Sequence, residues 1–270
     1  MVSIAFADTL RAVSDGPVFI RDGDVLIPQQ PAIGPWFPGV QHGGAVAAVV
    51  ARAVEAVPSA VPMVTTRLSI DMSRRVPMGP TVVETDVVRD GRRIQAIECR
   101  YVVDGEVVGR ASAMRVRVAE GISVANPTLP EDQIPSDPET HPVIDFTFAG
   151  PLDFAASFDF RRTEDDHGRV TGWMRMQREF VAGEPNDPRV LVAAVADMIP
   201  SGGSVLDYAQ MVSINPDLVI SLSRPPEGEW LGFTAAVRGE GNGYGQADAV
   251  LYDHRGAIGR ALKSLLVDER

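Results

Sequence analysis

This 270-residue chain has one cysteine, one lysine and four histidines, so three chemically versatile residue types are nearly missing. Cys99 alone cannot close an internal disulfide or build a thiolate zinc centre. Between Ile97-Glu98 and Arg100-Tyr101 it reads as a packed thiol on a strand. His42, His141, His167 and His254 show no metal-ligand spacing, so no metal is expected. Lys263 is the single lysine among 25 basic residues, set against 36 acidic ones. The resulting net charge of −11 argues against a nucleic-acid partner, which would need clustered cations. No apolar run reaches the roughly 18 residues of a membrane span, and no basic-then-apolar leader opens the chain. No membrane insertion and a cytoplasmic location are therefore expected. A Gly-x-Ser-x-Gly elbow is absent, which disfavours a serine hydrolase. The glycine-dense stretch Gly239–Gly245 lacks a strand-then-helix context, so it reads as a flexible hairpin, not a nucleotide loop.

The chain does contain a repeat. Arg75-Val76-Pro77-Met78-Gly79 returns as Arg224-Pro225-Pro226-Glu227-Gly228, Asp104-Gly105 as Arg255-Gly256, and Gly109-Arg110-Ala111 as Gly259-Arg260-Ala261. The offsets are 149, 151 and 150 residues, which points to a duplicated unit. Each copy has the same grammar. Residues 42–57 are apolar on nearly every side after His42-Gly43-Gly44, as a wrapped, buried helix would be. Strand-like runs follow at 63–74, 80–90, 92–104 and 106–117, punctuated by Gly79-Pro80, Asp90-Gly91 and Asp104-Gly105. In the second copy Asp187-Pro188 caps an apolar helix over 189–199, which Pro200 stops. Strand-like runs return at 212–223, 229–238, 244–253 and 257–267, after a hairpin of 154–163 and 169–180. Residues 119–145, with Pro127, Pro130, Pro135, Pro138 and Pro142, read as an acidic linker between repeats 1–118 and 146–270. A helix and an antiparallel meander, used twice, define an α+β class.

Alternation along the strands relates the copies residue by residue. Val64, Thr66, Leu68, Ile70 and Met72 share one face of the first copy, and Ile214, Pro216, Leu218, Ile220 and Leu222 share that of the second. These faces coincide at an offset of 150, which puts Asp217 where the first copy has Arg67. An offset of 149 would flip the face.

The order of elements resembles the hotdog fold, in which an antiparallel sheet wraps a buried central helix. The doubled chain resembles the acyl-CoA thioesterase II type of double hotdog. The resemblance rests on Val40-Gln41-His42-Gly43-Gly44 opening an apolar helix and on Arg89-Asp90-Gly91-Arg92 as a hairpin. It rests also on Asp217 followed by Arg224-Pro225 and Glu229-Trp230-Leu231. It implies action on an acyl-CoA or related small acyl thioester, most simply hydrolysis, at one composite site between unlike halves. No cofactor is implied beyond the coenzyme A of the substrate, and a homo-oligomer is compatible with exposed sheet edges. Asp217 is the implied water-activating or nucleophilic carboxylate. His42, Gly43 and Gly44 are implied to hold the carbonyl oxygen at a helix start. Apart from the resemblance, Arg67 and Lys263 are further candidate substrate contacts; Lys263 would meet an acyl-CoA phosphate or pair with Asp217, and the favoured alternative is a solvent-facing strand lysine. Where the family carries a hydroxyl residue and a glutamine, this chain has Arg238-Gly239 and Lys263, so an acyl-thioester binding protein without turnover is an alternative. Asp197 and Glu55, late on the two apolar helices, are further candidate acids or structural hydrogen-bonding groups. A third alternative is an enoyl-thioester hydratase, which Asn215-Pro216 suggests and the absence of a histidine nearby in sequence opposes.

Overall fold

The computed structural model describes residues 16–122, 133–144, 154–200 and 210–269. Two short strands, β1 (Phe19–Asp22) and β2 (Val25–Pro28), precede α1 (Gly43–Ala56). Strands β3 (Met63–Asp71), β4 (Thr81–Asp90), β5 (Ile94–Val103) and β6 (Glu106–Arg117) then complete the first half. The second half runs β7 (Phe158–Glu164), β8 (Val170–Met176), α2 (Pro188–Asp197), β9 (Met211–Ile214), β10 (Asp217–Leu222), β11 (Leu231–Gly239), β12 (Tyr244–Asp253) and β13 (Gly256–Glu269). All described strands join one sheet in the order β1-β2-β4-β5-β6-β3-β10-β13-β12-β11-β8-β7, with β9 also on β13. This is the double hotdog: two antiparallel sheets fused through β3 and β10, each wrapped around a helix.

The helices owe their stability to burial. Val46, Val49, Val50 and Val54 of α1 and Val190, Val192 and Val195 of α2 are mediocre helix formers, yet all lie in the core. Each fully buried valine side chain contributes about 1.5–3 kcal/mol. The two helices lie antiparallel and touch, so the start of α1 meets the end of α2.

At the seam, Ser69 of β3 faces Val219 of β10, with Arg67 opposite Ser221 and Asp71 opposite Asp217. A residue facing its own equivalent 150 positions on marks a pseudo-two-fold axis, so 150 is the offset the fold obeys. Both copies also carry a bulge at the same place. In the first, the β3–β6 register slips between Thr65 and Arg67. In the second, Ile214 faces Leu266 while Val219 faces Leu262, so one extra residue sits at Asn215-Pro216.

That bulge corrects the expected alternation. The run 212–223 is two strands, and Asn215 and Asp217 do not share a face: the inserted residue turns Asn215 inward and leaves Asp217 outward. Two further segments differ from expectation. The β1–β2 hairpin, which turns at Asp22-Gly23, was not among the expected strands, and it hydrogen-bonds through Phe19 to Phe180 and Ala182 of the other half. Of the expected linker, Pro142–Ile144 hydrogen-bonds along the β7 edge, and His141 is buried against Thr163. Pro127 and Pro130 lie outside the described residues.

Candidate active site

His42 caps α1, its Nδ1 accepting a hydrogen bond of 2.9 Å from the Gly44 amide. An accepting Nδ1 carries no proton, so the neutral ring holds its proton on Nε2. Burial keeps the ring below its ordinary pKa against the raising influence of Asp197, and the charge of Lys263 lowers it further. The 3.4 Å approach of Nδ1 to Asp197 Oδ2 is therefore a close contact with a neutral ring and not an ion pair.

Gly43 is required by this approach. A Cβ there would stand 2.6 Å from Asp197 Oδ1, and one on Gly44 would stand 2.8 Å from the Phe154 ring. The two glycines let the N–H end of α1 come against the carboxylate at the end of α2. The Gly43 amide itself has no partner among the described residues.

Asp197 is 4% exposed, and its Oδ1 accepts a 2.8 Å hydrogen bond from Asn215 Nδ2. Asn215 reaches it because of the bulge before β10. The C-terminus of α2 is closed from below by Lys263 of β13, 1% exposed, whose Nζ donates to the carbonyls of Asp197 (2.7 Å) and Ile199 (2.8 Å). An ammonium at a helix C-terminus satisfies orphan carbonyls and the helix dipole together. Burial pushes the lysine pKa down to about 8, although the Asp197 charge pulls it up.

Of the residues singled out in the sequence, His42, Gly43, Gly44 and Lys263 thus converge, and Asp197 is the carboxylate they meet. Asp217 does not join them. Its neighbours Leu218 and Ile220 face the core, so Asp217 projects from the outer face of the sheet, where its Oδ1 accepts from the Ser264 amide at 2.7 Å. Arg67 is likewise remote, on an exposed part of β3 beside Ser221. Lys263 is no solvent-facing strand lysine: the inward half of β13 carries it with Ala261 and Leu265. Arg238 pairs with Asp248 at the far end of β11 and does not enter the cluster. Asn215 had no role as a contact to Asp197 in the sequence reading; the interruption of a strand by Asn-Pro was its signal. Among the described residues no helix is long and apolar enough to cross a membrane.

Comparison with known proteins agrees with this architecture. Residues 32–116 match the model of the acyl-CoA thioesterase N-terminal domain, and residues 129–267 that of the acyl-CoA thioesterase C-terminal domain. A hot dog fold protein of unknown function from Alicyclobacillus acidocaldarius is 19% identical, with 97% of this chain and 99% of that one covered and a TM-score of 0.70. The acyl-CoA thioesterase II TesB2 from Mycobacterium marinum is 16% identical, covering 92% and 93%, with a TM-score of 0.65. A tesB protein from Mycobacterium avium subs paratuberculosis is 17% identical, covering 93% and 96%, also at 0.65. None of the curated proteins compared matches the sequence. With both of its halves matched in order, the chain belongs to the acyl-CoA thioesterase family of double-hotdog proteins.

Proposed function

We propose that this protein hydrolyses an acyl-CoA or related acyl thioester at a composite site made by the start of α1 and the end of α2, with Asp197 as the acting carboxylate. The observation that carries the assignment is the approach of Asp197 to Gly43, too close to admit a Cβ. A thioester carbonyl directed at the Gly43 amide would meet an unpaired N–H at the positive end of a helix, where developing negative charge is stabilised. Asp197 Oδ2 would then activate water, or attack the carbonyl carbon, from beside it. Asn215 holds Oδ1 and so fixes the carboxylate plane. Lys263 anchors the backbone of Asp197 through its carbonyl. His42 positions the Gly44 turn.

Steady-state hydrolysis of acyl-CoA substrates of graded chain length, followed by free thiol release, tests this reading. Turnover in the wild type with its loss in Asp197→Asn supports it. Tight binding of acyl-CoA without turnover in the wild type refutes hydrolysis and leaves a binding protein.

One observation favours a second reading. The histidine missing near Asn215-Pro216 in sequence is supplied in space, since His42, Asp197 and Asn215 surround one helix start. That grouping could add water across an enoyl thioester double bond. Loss of enoyl absorbance on incubation with crotonyl-CoA, without thiol release, would establish it in place of hydrolysis.

A further inference from the structure

The duplication leaves one arginine in two different states. In the second copy Arg224 makes a two-pronged ion pair with Asp253, at 2.5 and 2.6 Å, and Asp253 is fully buried. Asp253 faces Gly256 across the β12–β13 turn as Val103 faces Glu106 across the β5–β6 turn, so Val103 holds the acid's place in the first copy. Arg75, the match of Arg224 in the Arg-x-Pro-x-Gly repeat, therefore has no such carboxylate to meet. Its guanidinium lies instead over the Phe37 ring, 3.4 Å from the centroid. Arg75 is exposed, as is Arg74 beside it. Neither has an ion-pair partner among the described residues, in a chain where 36 acidic residues outnumber 25 basic ones.

These two charges lie on a segment that crosses from one wall of the proposed site to the other. The Met72 amide donates to the Pro216 carbonyl at 2.7 Å, one residue from Asn215. The Val76 carbonyl accepts from the Gln41 amide at 2.8 Å, next to His42. Val40 pairs with Pro77, and the Met78 amide donates to the Gly39 carbonyl, so the loop carrying Phe37 is tied to the same segment. At the opposite end of the helices the Arg224-Pro225 segment lies near Arg189 and the start of α2. There Pro188 has no N–H, and the Arg189 amide is already bonded to Asp187 Oδ1 at 2.8 Å. The arginine is locked at the end without a free helix-start donor and unlocked at the end that holds Gly43 and Asp197.

Coenzyme A carries its phosphates beyond a long pantetheine arm from the thioester, so anchors for them belong outside the reaction centre, open to solvent. Guanidinium groups suit them, because their N–H forks match phosphate oxygens in pairs. Stacking on Phe37 fixes the Arg75 plane in advance and lowers the cost of ordering it on binding.

We infer that Arg75, held on Phe37, and Arg74 bind the phosphates of coenzyme A and so select a coenzyme A thioester over one without phosphates. The ligand class rests on the hydrolase reading; the anchoring residues follow from the missing acid at Val103 and the place of the segment.

Calorimetric titration with free coenzyme A and with pantetheine, which keeps the thiol arm and lacks the phosphates, tests it on the wild type, Arg74→Gln and Arg75→Gln. The wild type should bind coenzyme A more tightly than pantetheine. Each substitution should weaken coenzyme A about two- to five-fold and leave pantetheine unchanged. Added salt should narrow the gap between wild type and variants, since the lost contact is between exposed charges. Should Arg75→Gln disturb the Phe37 loop, the exposed substitution Arg74→Gln still decides. Coenzyme A bound no better than pantetheine by the wild type, unchanged coenzyme A affinity in either variant, or an equal loss for both ligands overturns the inference. Binding of free coenzyme A needs no turnover, so a failure of the hydrolase reading would show separately as absent thiol release from acyl-CoA.

Discussion

Replacement of Lys263 by methionine should reveal a buried charge through the pH dependence of stability. In the native chain the ammonium is 1% exposed and bonded to two carbonyls, and burial holds its pKa at about 8 against the ordinary 10.5. Between those pH values the unfolded chain binds a proton that the native chain does not, so raising the pH favours the native state. At about 1.4 kcal/mol per tenfold change in an equilibrium constant, the fall from 10.5 to about 8 amounts to roughly 3 kcal/mol. The methionine variant lacks this gain. It also leaves the Asp197 and Ile199 carbonyls without their donor, at about 1–3 kcal/mol each, partly offset by no longer burying a charge. Urea unfolding of both proteins at intervals from pH 7 to beyond 10 would measure it. The stability of the wild type relative to the variant should climb by roughly 3 kcal/mol across that range. Parallel pH profiles would refute a buried, charged Lys263.

Three further outcomes are expected. Asp197→Asn should lower kcat by about 10²–10⁴-fold, while Asp217→Asn on the outer face leaves it unchanged; the reverse pattern in the thiol-release assay would move the site back to β10. Gly43→Ala places a methyl 2.6 Å from Asp197 Oδ1, so the carboxylate must shift and kcat should fall about 10²-fold with the melting temperature largely kept. Asp253 is fully buried and held by Arg224 at 2.5 and 2.6 Å and by the amides of Glu227 and Arg255; burial pushes its pKa up, but these partners together hold it below the ordinary carboxylate range. Asp253→Asn should therefore cost about 3–5 kcal/mol in urea unfolding without touching the active centre, and the wild type should lose this stabilisation only as the pH falls through that depressed pKa.

Local chemistry made the scaffold legible. Helices apolar all round, turn dipeptides and strands of period two are short-range patterns. Their recurrence at about 150 residues placed the two halves before any contact was known. The glycine turn and the family resemblance were legible for the same reason, being contiguous strings. Lys263 was readable only as a departure from a pattern, because its burial depends on which face of β13 looks inward.

The tertiary structure is what leads us to propose Asp197 in place of Asp217. Asp217 and Asp197 were both visible, and strict alternation kept Asp217 with Asn215. A single extra residue at Asn215-Pro216 separates them, sending Asn215 to Asp197 and Asp217 to the outer face. Periodicity cannot register such a slip, since it is defined by the partner strand. The meeting of Gly43 with Asp197, 154 positions along the chain, likewise follows from two antiparallel helices touching inside one sheet. The sequence determined that a double hotdog would form and that its halves had diverged. Packing across the pseudo-two-fold axis decided which residues come together, because a distance between residues remote in sequence belongs to the fold and not to any local run of residues.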